Sequence, residues 1–313
     1  MGKKAQTATV SHADAHAIPV SLSAMLVTLG VVYGDIGTSP MYVTKALVAG
    51  NGGITSVNQE FILGALSLVI WTVTLLTTIK YVLICMKADN HGEGGIFALY
   101  SLVRRFGKWL IIPAMLGGAA LLADGILTPA VTVTTAVEGL RTIPAMKSII
   151  GPGQTNVVII TLAIIIALFL IQHVGTAKIG RAFGPIMTLW FLFLGGTGLF
   201  FVLGNPVVLL AFNPLEGISF LLSPNNHAGI MILGSCFLAT TGAEALYSDM
   251  GHVGRGNIYA TWPFVKVCLL LSYLGQGAWL LANASNPSLV GIHDLNPFFE
   301  MLNSNVRPFA VIL

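Results

Sequence analysis

The sequence predicts an all-α polytopic membrane protein, and three observations carry that prediction. Of its 313 residues, 55% are hydrophobic and only 9% charged, where soluble domains carry about 25% charged residues. Mean hydropathy is +0.84. Seven apolar stretches, 21–48, 61–86, 110–140, 156–172, 184–204, 228–248 and 262–282, reach the roughly 17–25 residues a spanning helix needs. The net charge of +3 is too small to point to nucleic acid and bears on topology instead.

Residues 1–20 are polar, with Lys3, Lys4, His12 and His16, and read as a cytoplasmic tail. The apolar run after them is too long for a signal-peptide core and lacks a small-residue cleavage pattern. The membrane domain therefore occupies 21–313. An eighth span is expected to open at Pro308-Phe309-Ala310-Val311-Ile312-Leu313, so the sequence reads as truncated after about seven spans. With the N-terminus inside, the inner segments hold Lys3, Lys4, Lys87, Arg104, Arg105, Lys108, Lys178, Arg181 and Arg255, and the outer ones Arg141, Lys147 and Arg307. Lys45, Lys80 and Lys266 lie in or against spans and are set aside. That excess of inner cations favours a cytoplasmic N-terminus. The segment 205–227 has no Lys or Arg, and Pro206, Pro214 and Pro224 argue for irregular or short half-buried turns there. Cys85, Cys236 and Cys268 lie in or beside apolar runs and read as buried thiols, not as a disulfide framework or zinc site.

The first span is interrupted by Tyr33-Gly34-Asp35-Ile36-Gly37-Thr38-Ser39-Pro40-Met41-Tyr42. An isolated charge at bilayer centre costs roughly 2.5–3.5 kcal/mol, and lipid cannot satisfy backbone freed by a break. Such a segment belongs in a polar cavity inside a bundle, as in cation-coupled transporters. Ser39 suits a helix N-cap and Pro40 a first helical position. One half-helix is thus expected to end near Gly34 and a second to start at Pro40, with the carbonyls closing the first half left to a cation. Asp35, Thr38 and Tyr42 fall on one face.

In the third span, Asp124, Thr128 and Thr132 form an i, i+4, i+8 polar stripe, and Pro129 frees the carbonyl of Gly125. Glu138 lies 14 residues beyond Asp124, about 21 Å along the axis, as an interfacial or gate residue. The sixth span carries Thr241 and Glu244 at i, i+3, and Thr240-Thr241-Gly242 is a candidate break. Glu244 is the third membrane acid, or else the structural partner of Lys80 or Lys266. Asp249, beside His252, reads as a solvated residue at the cytoplasmic end. Two broken spans five helices apart are the spacing of an inverted-repeat transporter. The segment Lys87-Ala88-Asp89-Asn90-His91-Gly92-Glu93-Gly94-Gly95 reads as a tight re-entrant or gating turn.

On these residues the chain resembles the KUP/HAK/KT family of potassium uptake permeases. Gly30-Val31-Val32-Tyr33-Gly34-Asp35-Ile36-Gly37-Thr38-Ser39-Pro40 is nearly the family signature. Ala88-Asp89-Asn90 with Gly92-Glu93-Gly94-Gly95, then Thr128-Pro129-Ala130, then Thr241-Gly242 with Glu244-Ala245-Leu246-Tyr247 and Asp249-Met250-Gly251-His252 match three further motifs. The resemblance implies a LeuT-like fold of the amino acid–polyamine–organocation superfamily, with twelve spans and a cytosolic domain at full length. It implies K⁺ uptake coupled to H⁺ across the cell (inner) membrane, with the N-terminus cytoplasmic and no cofactor. It implies ion-binding acids at Asp35, Asp124 and Glu244, with Tyr42, Thr128, Thr132 and Thr241 as hydroxyl ligands. From the residues themselves, Thr38 is expected to join the K⁺ ligands beside Asp35, and Asp124 and Glu244, as like charges in a desolvated site, are expected to be the proton-coupling acids. Asp124 stands where many members have Glu. The lipid bilayer is the surrounding partner, and the resemblance leaves room for a homodimer of the full-length protein.

The mechanism expected is alternating access, with K⁺ at the broken first helix and a proton exchanged between Asp124 and Glu244 as the bundle rocks. The nearest rival is a related permease for amino acids or another cation. A channel would need a Thr-Val-Gly-Tyr-Gly-type filter, and an intramembrane aspartyl hydrolase a Tyr-Asp pair with Gly-x-Gly-Asp. Neither pattern is present, so the chain does not read as an enzyme.

Overall fold

The computed structural model describes residues 18–151, 153–172, 176–289 and 295–313. The proposed tail of residues 1–20 lies almost wholly outside the described residues. Among those described, the regular elements are helical, and a lone antiparallel bridge joins Asn90 to Glu93.

The first span is built in pieces, α1 (Leu22–Val32), α2 (Gly34–Thr38), a 3-10 turn over Ser39–Met41 and α3 (Val43–Gly50). Ser21 caps α1, its Oγ accepting from the Ala24 amide at 3.2 Å. The chain then bends by 67° between Leu22–Val32 and Gly34–Met41. The second span, α4 (Gln59–Thr72), is capped by Asn58 and continues as a π-helix over Val73–Ile84. After α5 (Ile96–Val103) comes the third span, α6 (Ile111–Gly139), which runs through Pro129 without interruption. Next are α7 (Pro144–Ile150), α8 (Gln154–Gln172) and α9 (Thr176–Gly204).

The segment expected to be irregular forms a 3-10 helix over Pro206–Phe212 and α10 (Pro214–Leu221), capped by Asn213. The sixth span is again in pieces, α11 (Ile232–Phe237), a 3-10 turn and α12 (Ala245–Ser248). The chain continues through α13 (Met250–Val253), α14 (Arg255–Asn283), α15 (Pro297–Glu300) and α16 (Arg307–Ile312). Five helices are long and apolar enough to cross a membrane, or six when the bent first pair counts as one span, while Gln154–Leu170 is apolar but shorter. Six of the seven expected spans thus coincide with a helix or bent pair of spanning length, while the expected span 156–172 falls on the shorter Gln154–Leu170.

Packing centres on α14, 72% of whose apolar window is buried, whereas α6 has 6% of its own buried. Backbones approach closely where glycine lacks a side chain, as is usual between membrane helices. A Cβ on Gly198 of α9 would lie 2.2 Å from the Leu271 carbonyl oxygen of α14, and one on Gly184 would lie 2.4 Å from the Leu26 oxygen of α1. The first span is therefore clamped against α9 and α14, and its irregular backbone is enclosed by protein, as non-helical chain at membrane depth must be.

Candidate functional site

The break in the first span falls at Tyr33, next to the expected end at Gly34, but it is sharper than expected, since helix does not wait for Pro40 to resume. Tyr33 (φ −103°, ψ 7°) ends α1, and helix resumes at once at Gly34. Its buried ring stacks on Trp262 at 6.2 Å, and its hydroxyl bonds the Thr261 hydroxyl at 3.0 Å. The hinge is thus pinned to α14. Ser39 does not act as an N-cap: it has helical dihedrals, and its Oγ donates to the Ile36 carbonyl at 2.7 Å while meeting the Tyr273 hydroxyl at 2.9 Å. A second irregularity at Tyr42 (φ −125°) precedes α3.

Protein donors take most of the carbonyls around this break. Thr38 Oγ1 donates to the Asp35 carbonyl at 2.8 Å, Trp190 Nε1 to Gly37 at 2.8 Å, Gln276 Nε2 to Pro40 at 3.0 Å and Asn296 Nδ2 to Met41 at 2.8 Å. The oxygen lining of the site therefore rests on side chains more than on freed backbone. Trp190, Gln276 and Asn296 belong to no local motif; the signal they carry is an indole or amide in apolar surroundings, since such groups find partners when buried.

The three acids converge. Asp35 from α2, Asp124 from α6 and Glu244 from the break in the sixth span offer carboxylate oxygens within 4.8 Å of one another, all half-buried. Glu244 thus has two acids as its neighbours, not Lys80 or Lys266. Thr128 donates to Asp124 Oδ1 at 2.9 Å, and Thr132 meets Thr38 hydroxyl to hydroxyl at 3.3 Å. The Tyr42 hydroxyl is buried beside the side chains of Thr38 and Thr241, and closes no well-formed hydrogen bond with either. All eight residues singled out in the sequence are thereby gathered at one place.

The sixth-span break supplies the opposite wall. Thr241 is extended (φ −57°, ψ 133°), Gly242 has φ +81°, and the Ala243 amide bonds the Thr240 carbonyl at 3.0 Å. This is a type II turn, whose third position favours glycine. A Cβ on Gly242 would lie 2.6 Å from Asp35 Cβ and 2.8 Å from Asp35 Oδ2. The glycine lets the two broken spans meet at the acid.

One turn beyond Glu244, at the C-terminal end of the sixth span, segment 87–95 folds as a tight turn. His91 (φ +54°) and Gly92 (φ +84°) sit at its tip, and Asp89 Oδ2 accepts from the Gly92 amide at 3.0 Å. The Tyr247 hydroxyl donates to the Ala88 carbonyl, and Arg255 reaches Asp89 at 3.7 Å and the Met86 carbonyl at 3.2 Å. Asp249 is half-buried here instead of solvated, and burial pushes its carboxyl above the usual range.

Glu138 pairs with Lys45 Nζ at 2.9 Å and accepts from Gln154 Nε2 at 3.3 Å. The pair lines a cavity of about 480 Å³ with Arg141, Lys147, Glu300 and Arg307.

Residues 22–313 match the family model described as the K⁺ potassium transporter integral membrane domain. The chain is 60% identical over 294 residues to a probable potassium transport system protein Kup of Clostridium perfringens, covering 94% of this chain and 44% of that protein. It is 60% identical over 288 residues to a probable Kup 1 of Lactococcus lactis (92% and 42%) and 58% identical over 292 residues to one of Enterococcus faecalis (93% and 44%). The chain thus spans less than half the length of these relatives. No solved structure matches it. With a family match over nearly its whole length and relatives at this identity, the chain belongs to the K⁺ potassium transporter family of integral membrane proteins.

Proposed function

We propose that the chain forms the ion-binding half of a K⁺ uptake permease of the cell membrane, working by K⁺/H⁺ symport and alternating access within a LeuT-like inverted-repeat bundle. The observation that carries the reading is the meeting of three membrane acids with five hydroxyl side chains between two broken spans. Two ionised carboxylates about 4.8 Å apart repel by roughly 3–4 kcal/mol at an effective dielectric constant of about 20. A cation or a proton held among them removes that cost. K⁺ takes the place beside Asp35, with Thr38, Tyr42, Thr128, Thr132 and Thr241 replacing its water. Asp124 and Glu244 carry the proton. The N-terminus is cytoplasmic, so that 1–20 is an inner tail and 21–313 the membrane domain.

The competing reading is a related permease for amino acids or another cation. The relatives' potassium names and the acid-rich cluster both favour K⁺. The test is ⁸⁶Rb⁺ uptake into potassium-starved cells expressing the full-length protein, with excess K⁺, Na⁺ or amino acids as competitors. Uptake inhibited by K⁺ alone and lost in Asp35→Asn is the expected result. Full uptake in Asp35→Asn and in Glu244→Gln removes the site, and inhibition by an amino acid instead of K⁺ installs the rival.

A further inference from the structure

Two polar stripes run side by side from the acid cluster to the cavity. On the first span they are Asp35, Thr38, Tyr42 and Lys45; on α6 they are Asp124, Thr128, Thr132, Thr135 and Glu138. At about 100° per residue the α6 set stays within roughly a third of the helix circumference over about 21 Å. The stripes touch at three levels, at the acids, at Thr38–Thr132 (3.3 Å) and at Lys45–Glu138 (2.9 Å). Both segments run from the acids towards the cavity, so each contact is one rung of a parallel pair.

The last rung differs from the others. Lys45 and Glu138 are an ion pair with side chains 23% and 17% exposed, and the cavity begins at them. Glu138 is braced by Gln154, which also meets Arg141 Nη2 at 3.4 Å, while Arg141 bonds the Gly153 carbonyl at 2.7 Å. On the far side of the cavity Arg307 pairs with Glu300 at 2.8 Å and reaches the Thr142 carbonyl at 3.4 Å. Gln154 holds the Glu138 carboxylate from one side, and Lys45 bridges it to the first span.

We propose that the seam between these stripes is the route by which the cation reaches the acids from the cavity, and that the Lys45–Glu138 pair is the ionic latch that closes it. The ammonium has two effects at this position. It ties the first span to α6, and it places a positive charge on the path of an incoming cation. Opening needs the two spans to part at this rung, which costs the pair but leaves the Glu138–Gln154 brace intact. The inference rests on the proposed ion site, since it gives that site its access.

The test is reagent access. In the full-length protein, with Cys85, Cys236 and Cys268 replaced, Thr135→Cys places a thiol below the latch. A membrane-impermeant cationic methanethiosulfonate is applied outside intact cells. The thiol is expected to react slowly with the pair intact and roughly tenfold faster in Lys45→Met, which corresponds to about 1.4 kcal/mol of latch. The swapped pair, Lys45→Glu with Glu138→Lys, is expected to slow it again. Glu138→Gln gives a second opened variant should Lys45→Met fail to reach the membrane. Equal rates in parent and opened variants, no reaction in any of them, or a swapped pair as fast as Lys45→Met overturns the latch. Failure of the potassium reading shows differently, as absent Rb⁺ uptake with reagent access still governed by the pair.

Discussion

Asp35, Asp124 and Glu244 share one small region of a protein whose surroundings are apolar, and Tyr42 brings them a buried hydroxyl that closes no well-formed hydrogen bond with the threonines beside it. A buried hydroxyl without a partner costs about 1–3 kcal/mol, a cost that a bound cation recovers. Tyr42→Phe is therefore expected to leave the thermal stability of the ion-free protein unchanged or raised, while Rb⁺ affinity falls roughly tenfold, about 1.4 kcal/mol. Equilibrium ⁸⁶Rb⁺ binding and a melting curve check the two halves; unchanged affinity removes Tyr42 from the ligand set. Gly242 acts by absence of a side chain. Its φ of +81° and the 2.6 Å approach to Asp35 make Gly242→Ala doubly costly, since left-handed backbone alone costs about 1–2 kcal/mol. The variant is expected to melt lower and to lose Rb⁺ uptake. Normal uptake would show that the sixth-span break need not touch the acid.

At the scale of elements, the bent first span holds its shape through donors on other helices. Trp190 on α9 and Gln276 on α14 bond the Gly37 and Pro40 carbonyls, and Asn296, the cap of α15, bonds that of Met41. Trp190→Phe leaves the Gly37 carbonyl without its donor inside the bundle, at about 1–3 kcal/mol. A lower melting temperature in detergent is expected, and no change would mean that the indole is a passenger. The spans, both breaks and the acid cluster were legible in the sequence, because a charge or a glycine-proline pair in an apolar run has few stable fates. The end of the first half-helix near Gly34 was legible too, but the resumption of helix at Gly34 was not: Ser39-Pro40 carries strong local capping signals, yet the chain turns at Tyr33 alone, whose ring and hydroxyl are fixed by Trp262 and Thr261 more than 220 residues away. Asp249 reads locally as a solvated helix end, yet it is half-buried, and its neighbours Tyr247, Ser248 and Gly251 pack against the turn at 87–95, a long-range contact that no local pattern records. Lys45 was set aside as a span residue, and its role became visible only when the fold brought Glu138 to it.

For the whole molecule, the proposed symport has an energetic reason. One positive charge moving down 100 mV gains roughly 2.3 kcal/mol, which is under two decades of accumulation. A proton carried with K⁺ doubles the charge moved and adds any pH gradient. At clamped potential, Rb⁺ uptake by the full-length protein is therefore expected to speed up as the external pH falls and to drop with protonophore. Uptake indifferent to both would leave K⁺ moving alone and take the proton role from Asp124 and Glu244. The exposed apolar face of α6, with Leu122 73% and Ile126 75% exposed, lies directly behind the site. The acids are thus held at the flank of the helices described here, against a core built around α14.

The central claim is that the three acids form one K⁺ site, and anomalous scattering from Tl⁺, a heavy stand-in for K⁺, locates that ion directly. Crystals of the full-length protein grown with Tl⁺ are expected to show a peak between Asp35, Asp124 and Glu244 that is lost in Asp35→Asn. A Tl⁺ peak elsewhere in the membrane domain, with none among these carboxylates, would contradict the account.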